Sequence, residues 1–340
     1  MIFRAKAPLR IGLAGGGTDV SPYCNRYGGA ILNASISLFA HASIEPILGD
    51  EIIFQAIDRG EEVRYKMAAV LPTDGQLDLA SGVYNRLVKM QGQMPSAFRL
   101  TTFVDAPAGS GLGTSSTLVV AIVGAFAEWL RLPMGEYDIA HLAYEIERED
   151  LKMAGGRQDQ YAATFGGINF MEFFDEGRVI VNPLRVKEEY LNELENNLLL
   201  YFTATSRNSA DIIAVQSKNV SENNEASIEA MHQVKIQSGM MKDALLKGNI
   251  DEIGSILDFG FQHKKAMAAG ISNERIDAIY EKALAAGATG GKISGAGGGG
   301  FMMFYCPSNT RYKVRAALEE FGGIFRDYQF VERGLVTWSI

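Results

Sequence analysis

A glycine-rich stretch at residues 105–117 has the residue types expected of a phosphate-binding loop. Three glycines alternate with other residues, four hydroxyl residues follow, and an apolar segment extends over residues 118–130. This pattern predicts a loop leading into a buried helix, whose unpaired N–H groups and dipole favour an anion. Glycines let the anion approach the backbone closely, and the hydroxyls could hold a metal ion. The simpler interpretation is a turn whose helix is capped by Thr114 or Ser115.

A second stretch, residues 154–161, places Asp159 on a loop of small residues just after an acidic helix end at residues 145–150. Phosphoryl transfer needs a phosphate cradle, a metal held by oxygen ligands, and a group that orients or deprotonates the attacking hydroxyl. The glycine loop, the acidic helix and Asp159 supply these parts in chain order. Taken singly, Glu147 could be a solvated helix charge and Asp159 a loop cap, but their joint occurrence favours catalysis.

A third stretch, residues 9–19, reads as a strand that enters a triple-glycine loop ending in Thr-Asp. In a functional interpretation, Arg10 faces an anion and Asp19 accepts hydrogen bonds from a polyol. The alternative is a tight turn in which Asp19 caps a helix and Arg10 is a surface charge. Taken alone, this stretch favours the tight turn.

Composition argues against several classes of partner. The chain has 340 residues, of which 47% are hydrophobic, and its net charge is −8. This negative charge argues against nucleic acid or an acidic membrane surface as a partner. The cysteines Cys24 and Cys306 and the four histidines form no metal-ligand spacing. Without a secretion signal or an apolar run of about 20 residues, the chain is expected to be cytoplasmic; its oligomeric state stays open.

Both strands and helices are predicted to position these residues. Strands and helices occur without strict alternation, which predicts the α+β class. A shift in composition near residues 175–195 predicts two domains, residues 1–185 and 186–340. Strands are predicted over residues 2–7 (ended by Pro8), 30–48, 51–65, 98–104, 168–173, 178–184, 198–203, 301–306, 324–330 and 335–339. Helices are predicted over residues 69–91, 115–130, 135–150, 208–217, 225–246, 250–261, 272–286 and 310–321.

Three separated segments together resemble the motifs of the GHMP kinases, the superfamily of galactokinase, homoserine kinase and mevalonate kinase. They follow the family order and spread over nearly the whole chain. The resemblance implies a first domain like domain 2 of ribosomal protein S5 and a second, ferredoxin-like domain, with ATP between them. The segments are residues 7–11 with 15–19, residues 107–115, and residues 292–299.

The resemblance also implies roles for the matching residues. Asp159 would be the catalytic base, and Arg10 would stabilise charge beside it. Ser115 and Glu147 would hold Mg²⁺, although helical spacing alone does not separate Glu147 from Glu149. The ATP phosphates would lie on the second segment, with the third segment behind it. The positions assigned to ATP are Pro107, Gly109, Ser110, Gly111, Leu112, Gly113, Thr114, Ser115 and Ser116.

Within the superfamily, residues 15–19, 156–161 and 205–210 look most like the D-glycero-D-manno-heptose 7-phosphate kinases. This resemblance implies transfer of the ATP γ-phosphate to the anomeric O1, which gives the 1,7-bisphosphate. The alternative is a fucose- or arabinose-type sugar 1-kinase, whose acceptor carries no phosphate. An acceptor that carries a phosphate needs a cationic site, and the planar fork of arginine donates to phosphate in pairs.

Arg157 and Arg207 are the candidates for this cationic site, and a surface ion pair is the alternative for each. The residues expected to contact the acceptor are Gly17, Thr18, Asp19, Arg157, Arg207 and Gly297.

Overall fold

The computed structural model describes residues 1–205 and 209–340. Within this range the chain forms two β-sheets, and helices pack against both of them. The strands are β1 Phe3–Ala14, β2 Gly29–Pro46, β3 Glu51–Ala56, β4 Glu61–Lys66, β5 Phe98–Val104, β6 Ile168–Phe173, β7 Val179–Pro183, β8 Leu198–Phe202, β9 Gly290–Ile293, β10 Phe301–Tyr305, β11 Ile324–Arg326 and β12 Val336–Ser339.

The helices separate and cover the strands. A π-helical turn, Glu145–Asp150, directly follows the fourth helix, and short 3₁₀ turns lie at Ile250–Glu252 and Glu319–Phe321. The helices are α1 Tyr23–Tyr27, α2 Asp78–Gln91, α3 Thr114–Leu130, α4 Glu136–Tyr144, α5 Gln158–Phe165, α6 Glu188–Asn197, α7 Ser209–Ser221, α8 Glu225–Lys247, α9 Ile253–Met267, α10 Glu274–Ala285 and α11 Arg311–Leu318.

The larger sheet has the strand order β12-β1-β2-β5-β3-β4, and β6 and β7 extend it from β2. Strand β2 is 18 residues long, so its first part pairs with β6 and its last part with β5. The buried helix α3 packs across β1 and β2, because its residues from Val119 to Phe126 are all buried. This packing fixes the N-terminus of α3 beside the glycine-rich end of β1.

The smaller sheet is antiparallel and has the order β11-β8-β10-β9. The chain runs through β8, several helices, β9, β10, α11 and β11, which is the ferredoxin-like arrangement with extra helices in the first crossover. Helix α8 contacts β2 of the larger sheet, α9 contacts β9 of the smaller sheet, and the two helices pack together. The helix pair therefore joins the two sheets.

The α+β prediction is confirmed, but several local predictions were wrong. Pro8 does not end the first strand: β1 continues through it, and the pairing register with β2 shifts between Pro8 and Arg10. A bulge there accommodates a residue that has no N–H to donate. Residues 69–77 are not helical, since α2 begins only at Asp78, and α1, α5, α6 and β9 were not predicted from the sequence.

The boundary after residue 185 stays a prediction. It lies between β7 of the larger sheet and β8 of the smaller one, but β12 returns to pair with β1 in the larger sheet. Within the described residues, none of the helices combines the length and the apolar character needed to cross a bilayer.

Candidate active site

The glycine-rich stretch at residues 105–117 forms a loop that ends at the N-terminus of α3. Helix α3 begins at Thr114, directly after Gly113. Gly109, Gly111 and Gly113 have φ angles of 72°, 81° and 79°, in the left-handed region that glycine adopts without steric cost. The alternating glycines therefore let the loop turn at every second residue, as the pattern predicts. The exposed N–H groups of the first helical turn suit an anion.

The glycine-rich segment after β9 lies directly behind this loop. A side chain on Gly111 would come within 2.7 Å of the carbonyl oxygen of Ser294, and one on Gly295 within 2.7 Å of the Cα of Gly111. The hydroxyl of Ser294 donates to the carbonyl oxygen of Gly111 at 2.8 Å. Glycine is needed on both sides of this contact, because the two backbones touch there.

Asp159 lies in the first turn of α5, beside the phosphate loop, and not on a loop as the sequence suggested. Nε and Nη2 of Arg10 are 2.8 and 2.6 Å from Oδ1 of Asp159, and Nη1 donates to the carbonyl oxygen of Gly111 at 2.7 Å. A side chain on Gly113 would approach the Asp159 carboxylate to 3.1–3.3 Å. Arg10 is buried, whereas Asp159 lines the cavity and stays partly exposed. This carboxylate is in a position to accept a proton from a bound hydroxyl.

The structure separates Glu147 from Glu149, which helical spacing could not do. Glu147 is fully buried and its Oε1 accepts a hydrogen bond from the Ser115 hydroxyl at 2.8 Å. Its Oε2 accepts from the side-chain amide of Gln160 at 2.7 Å, and Arg148 lies 3.5 Å from Oε1. Glu149 is exposed. The Ser115 hydroxyl and the Glu147 carboxylate therefore place two adjacent oxygens, of the kind that ligate metal ions, at the start of α3.

Asp19 is buried at the N-terminus of α5. Its Oδ2 accepts hydrogen bonds from the backbone N–H groups of Arg157 and Gln158, at 2.8 and 3.0 Å. A side chain on Gly156 would come within 1.9 Å of this oxygen, so only glycine leaves room for the carboxylate. Burial is the largest influence on Asp19 and raises the pKa of its carboxyl, although the backbone N–H groups oppose the shift. Among the described residues, no donor reaches Oδ1 of Asp19.

A cavity of about 1020 Å³ connects these residues, apart from Glu147, which is not among the residues that line it. At one end, apolar side chains of α2, β5 and α3 form its wall, among them Leu79, Leu100 and Ile122. At the other end lie Asp19 and residues of α7 and α9. Arg10, Asp159, Ser115 and the glycines of the loop line the part between. The cavity therefore has an apolar end, a polar end and a phosphate-type loop between them.

Some of the predicted contact residues do not reach the cavity. The side chain of Arg157 donates to the carbonyl oxygen of Phe174 and lies over the Tyr144 ring, so it is not among the residues that line the cavity. Thr18 is buried and bonds to the backbone at Gly15 and Ala30. These two side chains therefore have structural partners in place of the predicted contact.

The remaining positions predicted to bind a ligand differ in where they lie relative to the cavity. Gly297 packs against the backbone of Ile271. Within the phosphate loop itself, Ser110 and Leu112 are buried. Gly17 does line the polar end of the cavity. Arg207 lies outside the described residues.

The sequence analysis missed Lys264, which lines the polar end of the cavity although it lies about 100 residues beyond the motif of Asp159. Helix α9 buries Ile253, Leu257 and Phe261 at helical spacing, and Lys264 continues this buried row. The available signal was a lysine at a position where the periodicity predicts an apolar residue.

Comparisons with known proteins match two segments of the chain to one family. Residues 78–167 match the GHMP kinases N terminal domain, and residues 241–324 match the GHMP kinases C terminal domain. The chain is 47% identical to a D-glycero-alpha-D-manno-heptose 7-phosphate kinase of Campylobacter jejuni, covering 99% of both chains. A solved D-glycero-D-manno-heptose 1-phosphate kinase from Bacteroides thetaiotaomicron is 44% identical, with a TM-score of 0.84 and 99% of both chains covered.

A more distant relative is the L-fucokinase/L-fucose-1-P guanylyltransferase of Bacteroides fragilis. It is 27% identical over 93% of this chain, which corresponds to 36% of that longer protein. The match therefore covers only part of a protein whose name gives two activities.

Proposed function

The chain belongs to the GHMP kinase family of ATP-dependent small-molecule kinases, and from this premise we propose that its acceptor is a heptose phosphate. It transfers the γ-phosphate of ATP to the anomeric O1 of D-glycero-D-manno-heptose 7-phosphate and so forms the 1,7-bisphosphate. The names of two relatives support this reaction, since one refers to a 7-phosphate and the other to a 1-phosphate. A single reaction that adds the 1-phosphate to a 7-phosphate accounts for both names.

The observation that carries the proposal is the Arg10–Asp159 pair beside the phosphate loop. The carboxylate of Asp159 lies against Gly113, and Arg10 bridges Asp159 to Gly111. A hydroxyl bound next to Asp159 is therefore also next to the loop that suits the ATP phosphates. Catalysis of phosphoryl transfer depends chiefly on this positioning and on charge stabilisation.

In the proposed mechanism, Asp159 accepts the proton of the acceptor hydroxyl as its oxygen attacks the γ-phosphorus. The anomeric hydroxyl is the most acidic hydroxyl of a sugar, so a carboxylate is an adequate base for it. Arg10 holds the Asp159 carboxylate in position through two nitrogen atoms, and its positive charge stabilises the negative charge that develops on the transferred group. The N–H groups at the start of α3 stabilise the phosphate oxygens.

The residues around Ser115 fit a magnesium ion. Mg²⁺ prefers oxygen ligands and is commonly held by one or two carboxylates together with substrate phosphates. The hydroxyl of Ser115 and the carboxylate of Glu147 offer two such oxygens 2.8 Å apart, and Gln160 holds the second carboxylate oxygen in place. When bound there, Mg²⁺ would neutralise charge on the ATP phosphates.

The two ends of the cavity divide the substrates. The apolar end formed by α2, β5 and α3 suits the adenine base, because a flat, weakly polar ring replaces water there at little cost. The polar end suits a sugar, since the buried Oδ1 of Asp19 has no donor within the described residues and can accept a hydrogen bond from a hydroxyl. Asp19 thereby fixes which sugar oxygen faces Asp159.

An ADP-release assay over a set of acceptors tests the proposal. The set comprises heptose 7-phosphate, unphosphorylated heptose, fucose and arabinose, and phosphorus NMR locates the new phosphate. The proposal expects heptose 7-phosphate to have the highest kcat/KM and the product to show a second phosphorus resonance coupled to the anomeric proton. A higher kcat/KM for fucose or arabinose would favour the fucokinase-type alternative, to which the 27% identical relative points. A new phosphate at any carbon other than C1 would contradict the proposed reaction.

A further inference from the structure

Lys264 is a buried lysine in the wall of the polar end. Only 4% of the residue is exposed, although it lines the cavity. Its Nζ donates one hydrogen bond, to the carbonyl oxygen of Gly295 at 2.5 Å. Among the ion pairs of the described residues, none involves this ammonium group, although the Asp19 carboxylate acts on it electrostatically. An ammonium group has three donors, so Lys264 retains N–H groups for a ligand.

The triple-glycine loop passes beside this ammonium group without placing a side chain against it. Gly15 and Gly17 have left-handed φ angles of 79° and 103°, so their backbone conformation itself favours glycine. The φ of Gly16 is not in that region, yet a Cβ there would lie 3.6 Å from Nζ of Lys264. The absence of a side chain at Gly16 therefore keeps one side of the ammonium group open without being required by the backbone.

The other cations near the polar end already have partners. Arg10 is occupied by Asp159 and the Gly111 carbonyl, Lys292 donates to the carbonyl oxygen of Gly12, and Arg157 faces away. Towards the apolar end of the cavity, Arg59 pairs with Glu61 and Arg148 contacts Glu147, while Lys152 is exposed. Among the described residues, Lys264 is thus the buried cavity-lining cation without a carboxylate partner.

We propose that Lys264, reached across Gly16, binds the phosphate group that the acceptor sugar already carries and so determines the preference for a phosphorylated acceptor. This inference rests on the proposed function. A lysine ammonium is a compact point charge, and a phosphate satisfies its free donors far better than a neutral hydroxyl does. Lys264 contacts the acceptor away from the reacting oxygen and is therefore a specificity-determining residue and not part of the proton transfer.

Two hydrogen-bond acceptor oxygens that line the same cavity as Lys264 suit the rest of such a ligand. Oδ1 of Asp19 and Oε1 of Gln158 are buried, and neither has a donor within the described residues. Both residues line the cavity. A sugar phosphate supplies hydroxyl donors for these two oxygens and an anion for the ammonium group. An inorganic anion supplies the negative charge but no hydroxyl donors.

Electrostatics give this site a reason to prefer an anion. Burial, followed by the positive charge of Arg10, lowers the pKa of Lys264 to about 8, and the carboxylate of Asp19 opposes the shift. The ammonium form of Lys264 is thus less stable in the folded protein than in water, although it still predominates at neutral pH. A phosphate that binds beside it relieves this cost.

The test compares Lys264→Met with Lys265→Met, the neighbouring lysine, which pairs with Asp277 on the outside of α9. For each variant and the parent, kcat/KM is measured with heptose 7-phosphate and with unphosphorylated heptose. We expect Lys264→Met to reduce the ratio of the two values by about 30-fold or more, as when one partner of a buried charge pair is truncated. The loss should appear mainly in KM, and Lys265→Met should keep the ratio of the parent.

An unchanged ratio in a folded Lys264→Met protein would overturn the inference, because a merely structural lysine would lower both values in parallel. A parent enzyme that shows no preference for the phosphorylated acceptor would overturn the proposed function itself, and the inference with it. If Lys264→Met does not fold, Gly16→Ala serves as the second variant. Its methyl group would lie against the ammonium group, so the same loss of preference is expected, and a retained preference would overturn the inference.

Discussion

At the scale of single residues, the chemistry depends on how each charged side chain is held. Arg10 contacts Asp159 through two nitrogen atoms and the phosphate loop through a third. Glu147 is buried but has Ser115, Gln160 and Arg148 around its two oxygens. Buried charges need such partners to persist. The catalytic roles proposed for Asp159 and Ser115 can therefore be tested by substitutions that leave these neighbours in place.

Asp159→Asn should reduce kcat by about 10²- to 10⁴-fold, the usual contribution of a general base. Asparagine keeps the size of the side chain and an oxygen for Arg10, but it does not accept the proton. Steady-state kinetics measure the loss, and calorimetric titration with ATP should show nearly unchanged affinity. A kcat within about threefold of the parent value would rule out Asp159 as the base.

Ser115→Ala should raise the Mg²⁺ concentration needed for half-maximal activity, because one of two adjacent oxygen donors is removed. The measurement is a titration of initial rate against Mg²⁺ at fixed ATP. Ser255→Ala, at an exposed serine of α9, is the matched control and should behave like the parent. A curve for Ser115→Ala that superimposes on the parent curve would argue against a metal ligand at this position.

Residues on glycine motifs were predictable from the sequence, whereas isolated ones were not. Arg10, Asp19, Ser115 and Asp159 lie within or next to glycine-rich stretches, and the structure brings them around one cavity. Lys264 lies on a helix without any such motif, and only the fold brings it to the same place. The side-chain direction of Arg157 was equally unpredictable, since it depends on Phe174 and Tyr144 from other elements.

At the scale of secondary structure, α5 shows why a local pattern can mislead. Its eight residues follow two glycines, and Arg157 at its N-cap provides no side-chain cap. The cap comes from Asp19, 138 residues earlier in the chain. A local reading therefore sees a loop, because the acceptor that completes the helix start is supplied by a distant segment. The π-helical turn at Glu145–Asp150 likewise departs from the spacing on which helical periodicity relies.

Gly156→Ala tests whether the start of α5 depends on this distant cap. A methyl group there would overlap Asp19, so the carboxylate or α5 must move. We expect the free energy of unfolding to fall by about 1–3 kcal/mol, as for other overpacking substitutions. The acceptor KM should rise as well, since Asp19 faces the cavity. Urea unfolding and steady-state kinetics provide the two measurements.

Gly239→Ala is the matched control for this experiment. Gly239 lies in α8 with no atom within 4 Å of an added Cβ, so alanine should stabilise the helix by about 0.5–1 kcal/mol. A Gly156→Ala protein as stable as the parent would show that Asp19 and α5 adjust without cost.

At the scale of the whole molecule, the second half of the chain completes the site begun by the first. Lys292 donates to the carbonyl oxygen of Gly12, Gln237 accepts from the N–H of Gly15, and Ser294 bonds to Gly111. The sequence predicted two domains with a ligand between them. The pairing of β12 with β1 was not predicted, because the sequence of a short edge strand does not indicate which distant strand it pairs with.

This assembly buries two lysines close to Arg10 and Asp19, and the stability of the whole protein should therefore depend on pH in a defined way. Burial and nearby cations lower the pKa of Lys264 to about 8, whereas 10.5 is its ordinary value, and they also lower the pKa of Lys292. Between pH 8 and 10.5 the unfolded chain retains a proton on Lys264 that the folded chain has released. The contribution of Lys264 to the free energy of unfolding should consequently rise with pH across this window.

Comparison of the parent with Lys264→Met measures this contribution together with its coupling to Lys292, because the charge of Lys264 also helps to lower the pKa of Lys292. Loss of the hydrogen bond to Gly295 adds an offset that does not vary with pH. Relative to the variant, the parent should gain stability by up to about 1.4 kcal/mol per pH unit between pH 8 and 10.5, and by nothing below pH 7. Urea unfolding of both proteins without ligand from pH 6 to 10 measures this difference. A difference that stays constant over the whole range would mean that Lys264 titrates alike in the folded and unfolded states, and hence that the cavity does not hold a destabilised ammonium group.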